Sequence, residues 1–377
     1  YGDQTFTEAR PWFVANDPDF PGDWESRSLF VNSAMVSGSS NLTNFPVLVT
    51  LTNDLTLPDN QTGHGIRFTS DGTTAVPFEI ESYSHDSNGG DLVAWVKLTV
   101  KHNEDTRFYI HYGQTEAISP DPAANVWTNY VAVNHLHSDP DNNDVDNLDI
   151  KGSKGDDKDT WNSMGSMDSN DQVAGKIDGA LDFDGDNDRI CLDDLDGTQN
   201  SSPNDNWNCQ NASDESSHFD ARQQNRTVEL WYWAQDASVD TFETILDAAG
   251  SSNGQAIYVY EDKVYAGNWK KSNTNIDYVS HTTTSQAWHH IAFVTEGAST
   301  SNTPSGKVIL YYDGVNVGES ANVAVGNNNN GDALGCVQGN IRNHLGNAVN
   351  TDPQSIIDYT TSDTDGRCFD GMIDEIR

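Results

Sequence analysis

Three runs in the last third of the chain set what it can fold into. They are Ala287-Trp288-His289-His290-Ile291-Ala292-Phe293-Val294, Val308-Ile309-Leu310-Tyr311-Tyr312-Asp313-Gly314 and Phe369-Asp370-Gly371-Met372-Ile373-Asp374-Glu375-Ile376-Arg377. Each is a short apolar or alternating stretch bounded by turn residues, and no segment of the chain sustains a helical apolar period. The first two read as neighbouring antiparallel strands of a buried sheet, and the third as a closing strand.

The same texture recurs earlier. Ser28–Val31, Phe45–Leu51, Ile66–Thr69, Phe78–Tyr83, Leu92–Leu98 and Arg107–Tyr112 are strand-like runs between Gly, Asn, Asp and Ser turns, the spacing of a small all-β sandwich over residues 24–116. Residues 1–23 are rich in Pro, Asp and aromatics and read as an extended arm. That arm either packs on its own domain or docks on a neighbouring subunit, where an unpaired edge strand would accept it through main-chain hydrogen bonds. Residues 117–126 form a linker stiffened by Pro120 and Pro122. A second domain, 127–377, opens at Trp127 with Tyr130–Leu136 as its expected first strand.

Taken with Gly179-Ala180-Leu181-Asp182-Phe183-Asp184-Gly185 and Thr227-Val228-Glu229-Leu230-Trp231-Tyr232-Trp233, the C-terminal runs resemble bacterial laminin G-like domains of the concanavalin A-like jelly-roll superfamily. Asn44–Val49, Phe78–Glu81, Val93–Lys97 and Tyr109–Gly113 are similar to the small domain of unknown function that often precedes such a domain. That tandem occurs in large secreted surface proteins, including ones associated with mannose-sensitive haemagglutinin pili. The resemblance implies an all-β chain of two tandem β-sandwiches, the second a jelly roll. It further implies a non-catalytic extracellular adhesion or recognition module for glycan or protein ligands, part of a larger cell-surface protein. Asn134 stands where the family commonly has an aromatic residue, so ligand residues do not transfer by position.

Composition narrows the partners. Against 58 Asp+Glu stand 20 Lys+Arg, a formal charge of −38, which argues against nucleic acid, since phosphate binding needs clustered Lys and Arg. Aromatics at 10% argue against an acidic disordered chain. No apolar run approaches bilayer length, so no membrane insertion is expected. Beginning at Tyr1 without a signal-peptide pattern, the chain reads as a processed or trimmed product. Cys191, Cys209, Cys336 and Cys368 show no zinc spacing. Of the three pairings open to them, Cys191–Cys209 with Cys336–Cys368 is favoured, each closing a polar loop, and disulfides place the protein in a secreted, oxidising setting.

No catalytic set stands out. A retaining glycosidase needs two carboxylates about 5 Å apart; the related catalytic jelly rolls carry them as Glu-x-Asp-x-Glu on one strand, and this chain has no such triplet. There is no Gly-x-Ser-x-Gly elbow. Asp374 and Glu375 are adjacent and are expected to point to opposite faces. His135 and His137, two apart, could share a face as a weak metal pair. Calcium is the more credible cofactor, because hard cations want clustered oxygens. Three acidic segments offer them: Asp139–Asp146, Asp182–Asp188, and Asp363–Gly366 with Asp370. By the resemblance, Asp184, Asp186, Asp188 and Asp374 are the metal candidates. Sugar recognition wants aromatic platforms beside amide and carboxylate groups. The ligand candidates are therefore Trp269, Tyr265, Trp207 and Asn268, with Trp269 and Asn268 in a turn-like stretch. Trp231, Trp233 and Trp288 sit in strands, where at least one of Trp231 and Trp233 is expected to face the core. The function expected is recognition of a glycan or surface protein; the alternative is a subunit of an extracellular filament or pilus-like assembly that self-associates through the arm, and the third reading is a polysaccharide-active enzyme or its targeting module.

Overall fold

The computed structural model describes residues 12–13, 24–59, 63–112, 123–140, 150–153, 160–192, 224–240, 243–249, 253–270, 276–299, 305–321, 333–336 and 368–377. Among them there is no α-helix, and the chain divides into two compact units after Val131.

The first unit holds β1 (Trp12–Phe13), β2 (Glu25–Val31), β3 (Leu42–Asp54), β4 (Arg67–Thr69), β5 (Phe78–Asp86), β6 (Gly89–Val100) and β7 (Thr106–Tyr112). They form two antiparallel sheets, β1-β2-β7-β4 and β3-β6-β5. Period-two burial explains the arrangement. Leu92, Ala94, Val96, Leu98 and Val100 of β6 all turn inward and meet Phe68, Phe78, Phe108 and Ile110. All six strands read from the sequence are present. Trp12 and Phe13 pair with Ser26 and Glu25, so this described part of the arm adds a strand to its own unit; the rest of the arm lies outside the described residues.

Trp127 also belongs here. Its indole donates to the Glu79 carboxylate, and its ring lies 5.2 Å from Trp95 and 5.1 Å from Tyr130. The second unit therefore starts at Ala132, later than the expected opening at Trp127. The expected strand at Tyr130–Leu136 is absent; only Asn134 makes a bridge, to Ile376. The Asn134 side chain instead accepts the Leu136 N–H, and Leu136 takes φ 55°, which ends any extended run.

The second unit holds β8 (Ile150–Lys151), β9 (Thr160–Met164), β10 (Gln172–Ala174), β11 (Gly179–Asp184), β12 (Arg189–Cys191), β13 (Arg226–Ala234), β14 (Glu243–Ala249) and β15 (Asn253–Tyr260). There follow β16 (Lys263–Lys270), β17 (Ile276–Thr282), β18 (Trp288–Glu296), β19 (Lys307–Tyr312), β20 (Val315–Ala321), β21 (Ala333–Leu334) and β22 (Asp370–Asp374). One sheet runs β10-β11-β22-β13-β18-β19-β20 and the other β17-β16-β15-β14-β21-β12-β9-β8, so strands remote in sequence lie side by side as in a jelly roll. Alternate residues of both sheets fill one core. Leu181, Phe183, Leu230, Tyr232, Phe293 and Leu310 come from the first; Ile190, Leu246, Ile257, Val259 and Val264 come from the second. Each such side chain contributes roughly 1.5–3 kcal/mol by leaving water. The fold class is thus all-β, two tandem β-sandwiches, the second a jelly roll.

Cys336 is bonded to Cys368, joining the end of β21 to the approach of β22. Cys191 is also disulfide-bonded; Cys209, its expected partner, lies outside the described residues.

Candidate functional site

Two features of the second unit concentrate chemistry. The first is an acidic rim. Asp184 ends β11, and its Oδ1 accepts the main-chain N–H groups of Asp186 at 2.8 Å, Asn187 at 3.1 Å and Asp188 at 3.4 Å. Asp188 Oδ1 accepts the Ser166 N–H at 3.1 Å and hydroxyl at 2.9 Å, and its Oδ2 accepts the Asp184 N–H at 3.2 Å. Two of the four metal candidates are therefore one knot, with Asp186 exposed on the turn between them. Asp374 is not part of it. Asp370 is the residue that faces Asp184 across the β11–β22 ladder, while Asp374 falls beside Trp231 and accepts the Ile177 N–H at 2.8 Å. At about 3.3 Å per residue, the two positions are roughly 13 Å apart along β22.

The rim's carboxylates feel burial and one another. Burial, then the Asp184 and Asp171 charges, pushes Asp188 up to about 6. Burial followed by neighbouring Asp charges also raises Asp182 and Asp370. Burial works to raise Asp184 too, but the three N–H groups outweigh it and leave that carboxyl below its ordinary value. Such an excess of negative charge suits a divalent cation. Among the described residues, however, no three acidic residues of this rim bring one carboxylate oxygen each within 4.8 Å of one another. Asp184 and Asp188 would need main-chain carbonyls or water to complete a shell.

Glu243, first residue of β14, lies beside the rim and is 7% exposed. Burial, reinforced by the Asp370 and Asp236 charges, pushes its carboxyl up to about 8, and the Asp370 N–H at 3.5 Å only partly offsets this. A glycosidase pair needs environments that drive two carboxyls apart, one protonated and one ionised. Here both Glu243 and Asp370 are driven the same way.

The expected ligand residues sit differently. Tyr265 is 4% exposed and stacks on Tyr258 at 4.9 Å. Asn268 is 2% exposed and donates to Thr295 Oγ1 at 2.9 Å, while Arg226 of the facing sheet donates to Gln255, the cross-strand neighbour of Asn268. Asn268 is therefore a polar link between the two sheets, because strand alternation turns it inward with Val264 and Ala266. Trp269 lies in β16 opposite Gly254 and Ile276, in a strand where a turn was expected. Trp207 lies outside the described residues, as do Asp141–Asp146 and Asp363–Gly366. His135 and His137 are not on a strand; their rings stack at 5.9 Å, and His135 Nδ1 is 2.6 Å from Glu375 Oε1. Glu375 takes φ 57°, which breaks the alternation with Asp374 assumed from the sequence.

The second feature escaped the sequence reading. Trp231 and Trp233 share the outer face of the seven-stranded sheet, and Tyr232 between them takes the core position. Residues two apart on a strand always share a face, so the expectation that one of the two tryptophans would turn inward is corrected. Strand register then assembles two rows. Asp182, Met372, Trp233 and Trp288 lie side by side across β11, β22, β13 and β18; Asp374, Trp231 and His290 form the next row. In the second row Lys176 Nζ sits 5.3 Å from the Trp231 ring centroid, and the His290 ring is 5.1 Å from it. Burial pushes His290 down to about 3, so it is neutral there and its 3.7 Å approach to Glu229 is not an ion pair. In the first row Trp233, Trp288 and Met372 are half-buried and Asp182 is exposed. Alternation plus register is the signal that would have found this face, had the neighbouring strands been known.

No family model and no curated protein matches the chain. Among solved structures it is similar to the botulinum neurotoxin serotype D binding domain, at 9% identity and TM-score 0.36, covering 64% of this chain and 46% of that one. It is similar to mouse laminin α1 chain domains LG4-5 at 12% identity and TM-score 0.30, covering 54% and 43%. It is also similar to the botulinum neurotoxin type G receptor binding domain at 10% identity and TM-score 0.37, covering 65% and 46%. The chain spans under half the length of each. The all-β assignment rests on the strand pairing itself.

Proposed function

We propose that the chain is a non-catalytic extracellular recognition module that holds a glycan or a surface protein against its second sandwich. The observation that carries this is the outer row Asp182–Met372–Trp233–Trp288. Two half-buried indoles on neighbouring strands offer flat apolar area, and a carboxylate at the row's end offers directional acceptors. The first sandwich serves as a spacer in a larger surface protein, and individually weak contacts gain strength from multiple copies. The disulfides favour an oxidising exterior. The filament alternative has less behind it, since the described part of the arm is spent on β2 of its own unit.

The test is a combined glycan and surface-protein array probed with the full chain. Wild type is expected to bind a defined subset of spots, and Trp233→Ala with Trp288→Ala is expected to lose about tenfold or more in affinity. Release of reducing sugar from a polysaccharide, abolished by Glu243→Gln, would replace this reading with an enzymatic one.

Calcium at the Asp184–Asp188 knot belongs to the same proposal. A bound cation would stiffen the turn by relieving repulsion among Asp171, Asp182, Asp184 and Asp188. Millimolar Ca2+ is expected to raise the second unit's melting temperature by about 2–4 °C, the equivalent of about 1 kcal/mol. Asp184→Asn should abolish that increment. An increment that survives in Asp184→Asn would place the ion elsewhere.

A further inference from the structure

One row along the same outer face, the chain seats a cation of its own. Lys176 leaves the turn between β10 and β11 and holds its ammonium 5.3 Å from the Trp231 ring centroid. The same turn gives the Ile177 N–H to Asp374, the register partner of Trp231. An ammonium over an indole face with a carboxylate on the neighbouring strand satisfies both the ring quadrupole and the charge.

The adjacent row also holds indoles and a carboxylate, with no lysine of its own, but its carboxylate lies two strands from the nearer indole. Trp233 and Trp288 are neighbours in register and half-buried, Met372 lies beside them, and Asp182 is exposed at the end. Among the described residues, the cation–ring contacts involve Tyr112, Phe78, Phe30 and Trp231, and none involves Trp233 or Trp288. Charge favours a cationic occupant. Asp182 stands among Asp171, Asp184 and Asp370, in a chain of net charge −38. A neutral sugar would gain the indole contact and a hydrogen bond to Asp182, whereas a cation would gain the indole contact and also relieve the crowding of carboxylates. Three inter-strand steps of about 4.8 Å make the row about 14 Å long, and alternate side chains of an extended peptide are about 7 Å apart. Two basic side chains of one strand-like segment therefore fit along it.

We propose that the Asp182–Met372–Trp233–Trp288 row binds a lysine- or arginine-bearing segment of a protein partner, with one cationic group over the indoles and a second beside Asp182. This rests on the recognition reading above and names its ligand class.

The experiment titrates the full chain with an acetyl-Lys-Ala-Lys-Ala-Lys-amide peptide and with the same peptide acetylated on its lysines. Calorimetry and the indole N–H resonances are followed. The lysine peptide is expected to shift the Trp233 and Trp288 resonances, and the acetylated peptide to bind at least about tenfold more weakly. Trp233→Leu and Trp288→Leu should each weaken binding about fivefold, the factor for about 1 kcal/mol of cation–π attraction. Both leave the net charge unchanged, so general attraction to an acidic protein would not register them. Asp182→Asn should weaken binding severalfold, and Trp233→Phe, which keeps a ring, should retain most of it. Wild-type affinity in the leucine variants overturns the inference. If a neutral oligosaccharide moves the indole resonances and the lysine peptide does not, the inference fails while the recognition reading stands. If no peptide, glycan or array protein engages the row, both fail.

Discussion

Gly371→Ala is expected to destabilise the second sandwich by about 3 kcal/mol or more, the upper range for a forced overpacking. Gly371 lies in β22 between β11 and β13, opposite Phe183 on one side and Ala234 on the other. A Cβ there would stand 2.1 Å from the Trp233 carbonyl oxygen and 3.1 Å from Ala234 Cα. Both are main-chain atoms of a paired strand, so relief requires opening the β13–β22 ladder. Opening it would displace Trp233 from its row, and lysine-peptide binding should fall together with the denaturant midpoint. Gly318→Ala is the contrast. Its Cβ would meet only Val279 Cγ1, at 2.8 Å, a side-chain methyl able to give way, and the cost should stay near or below about 1 kcal/mol. Equal midpoints for the two variants would show that β22 is not clamped as described.

Glu243→Gln is expected to stabilise the protein at pH 8 and to do little at pH 5. Burial, with the Asp370 and Asp236 charges, holds the folded-state carboxyl at about 8 against an ordinary 4.5. Between those values the folded state binds a proton that the unfolded chain has released. Stability contributed by that proton is therefore full below about 4.5 and is lost as pH rises toward 8. The loss is on the order of 3 kcal/mol from this group. Glutamine keeps the shape and cannot ionise, so the variant's unfolding free energy should lack that decline. Denaturant melts across pH 5–8.5 check it; parallel curves for wild type and variant would mean that Glu243 ionises as freely in the fold as in water.

Much of the fold was legible because strand formation is a local matter. The alternation of Leu92, Ala94, Val96 and Leu98, and the run Val308–Tyr312, mark strands wherever they end up in space, and both are strands here. Where local cues are ambiguous, neighbours outside the segment decide its conformation. Tyr130–Leu136 has a strand's composition, yet an Asn134 side chain bonded to the Leu136 N–H curls it. Ala266–Lys271 looks like a turn from its Gly and Asn, yet pairing on both sides keeps β16 extended through Lys270. Asn268 and Tyr265 have the chemistry of ligand residues, and packing consumes both.

The class is written in the order of residues alone: a β chain in two units, strongly acidic, with cysteines confined to its second half. These follow from period, composition and spacing, which need no knowledge of neighbours. Which residues meet depends on how the strands are ordered and paired in space. Asp184 joins Asp188 through Ser166 while Asp374 goes to Trp231, because β22 slots between β11 and β13 in one register. The same register sets Trp233 beside Trp288 and carries Asp182 to the end of their row. Long-range strand order depends on how two whole sheets close over a shared core, and no short stretch of chain encodes that.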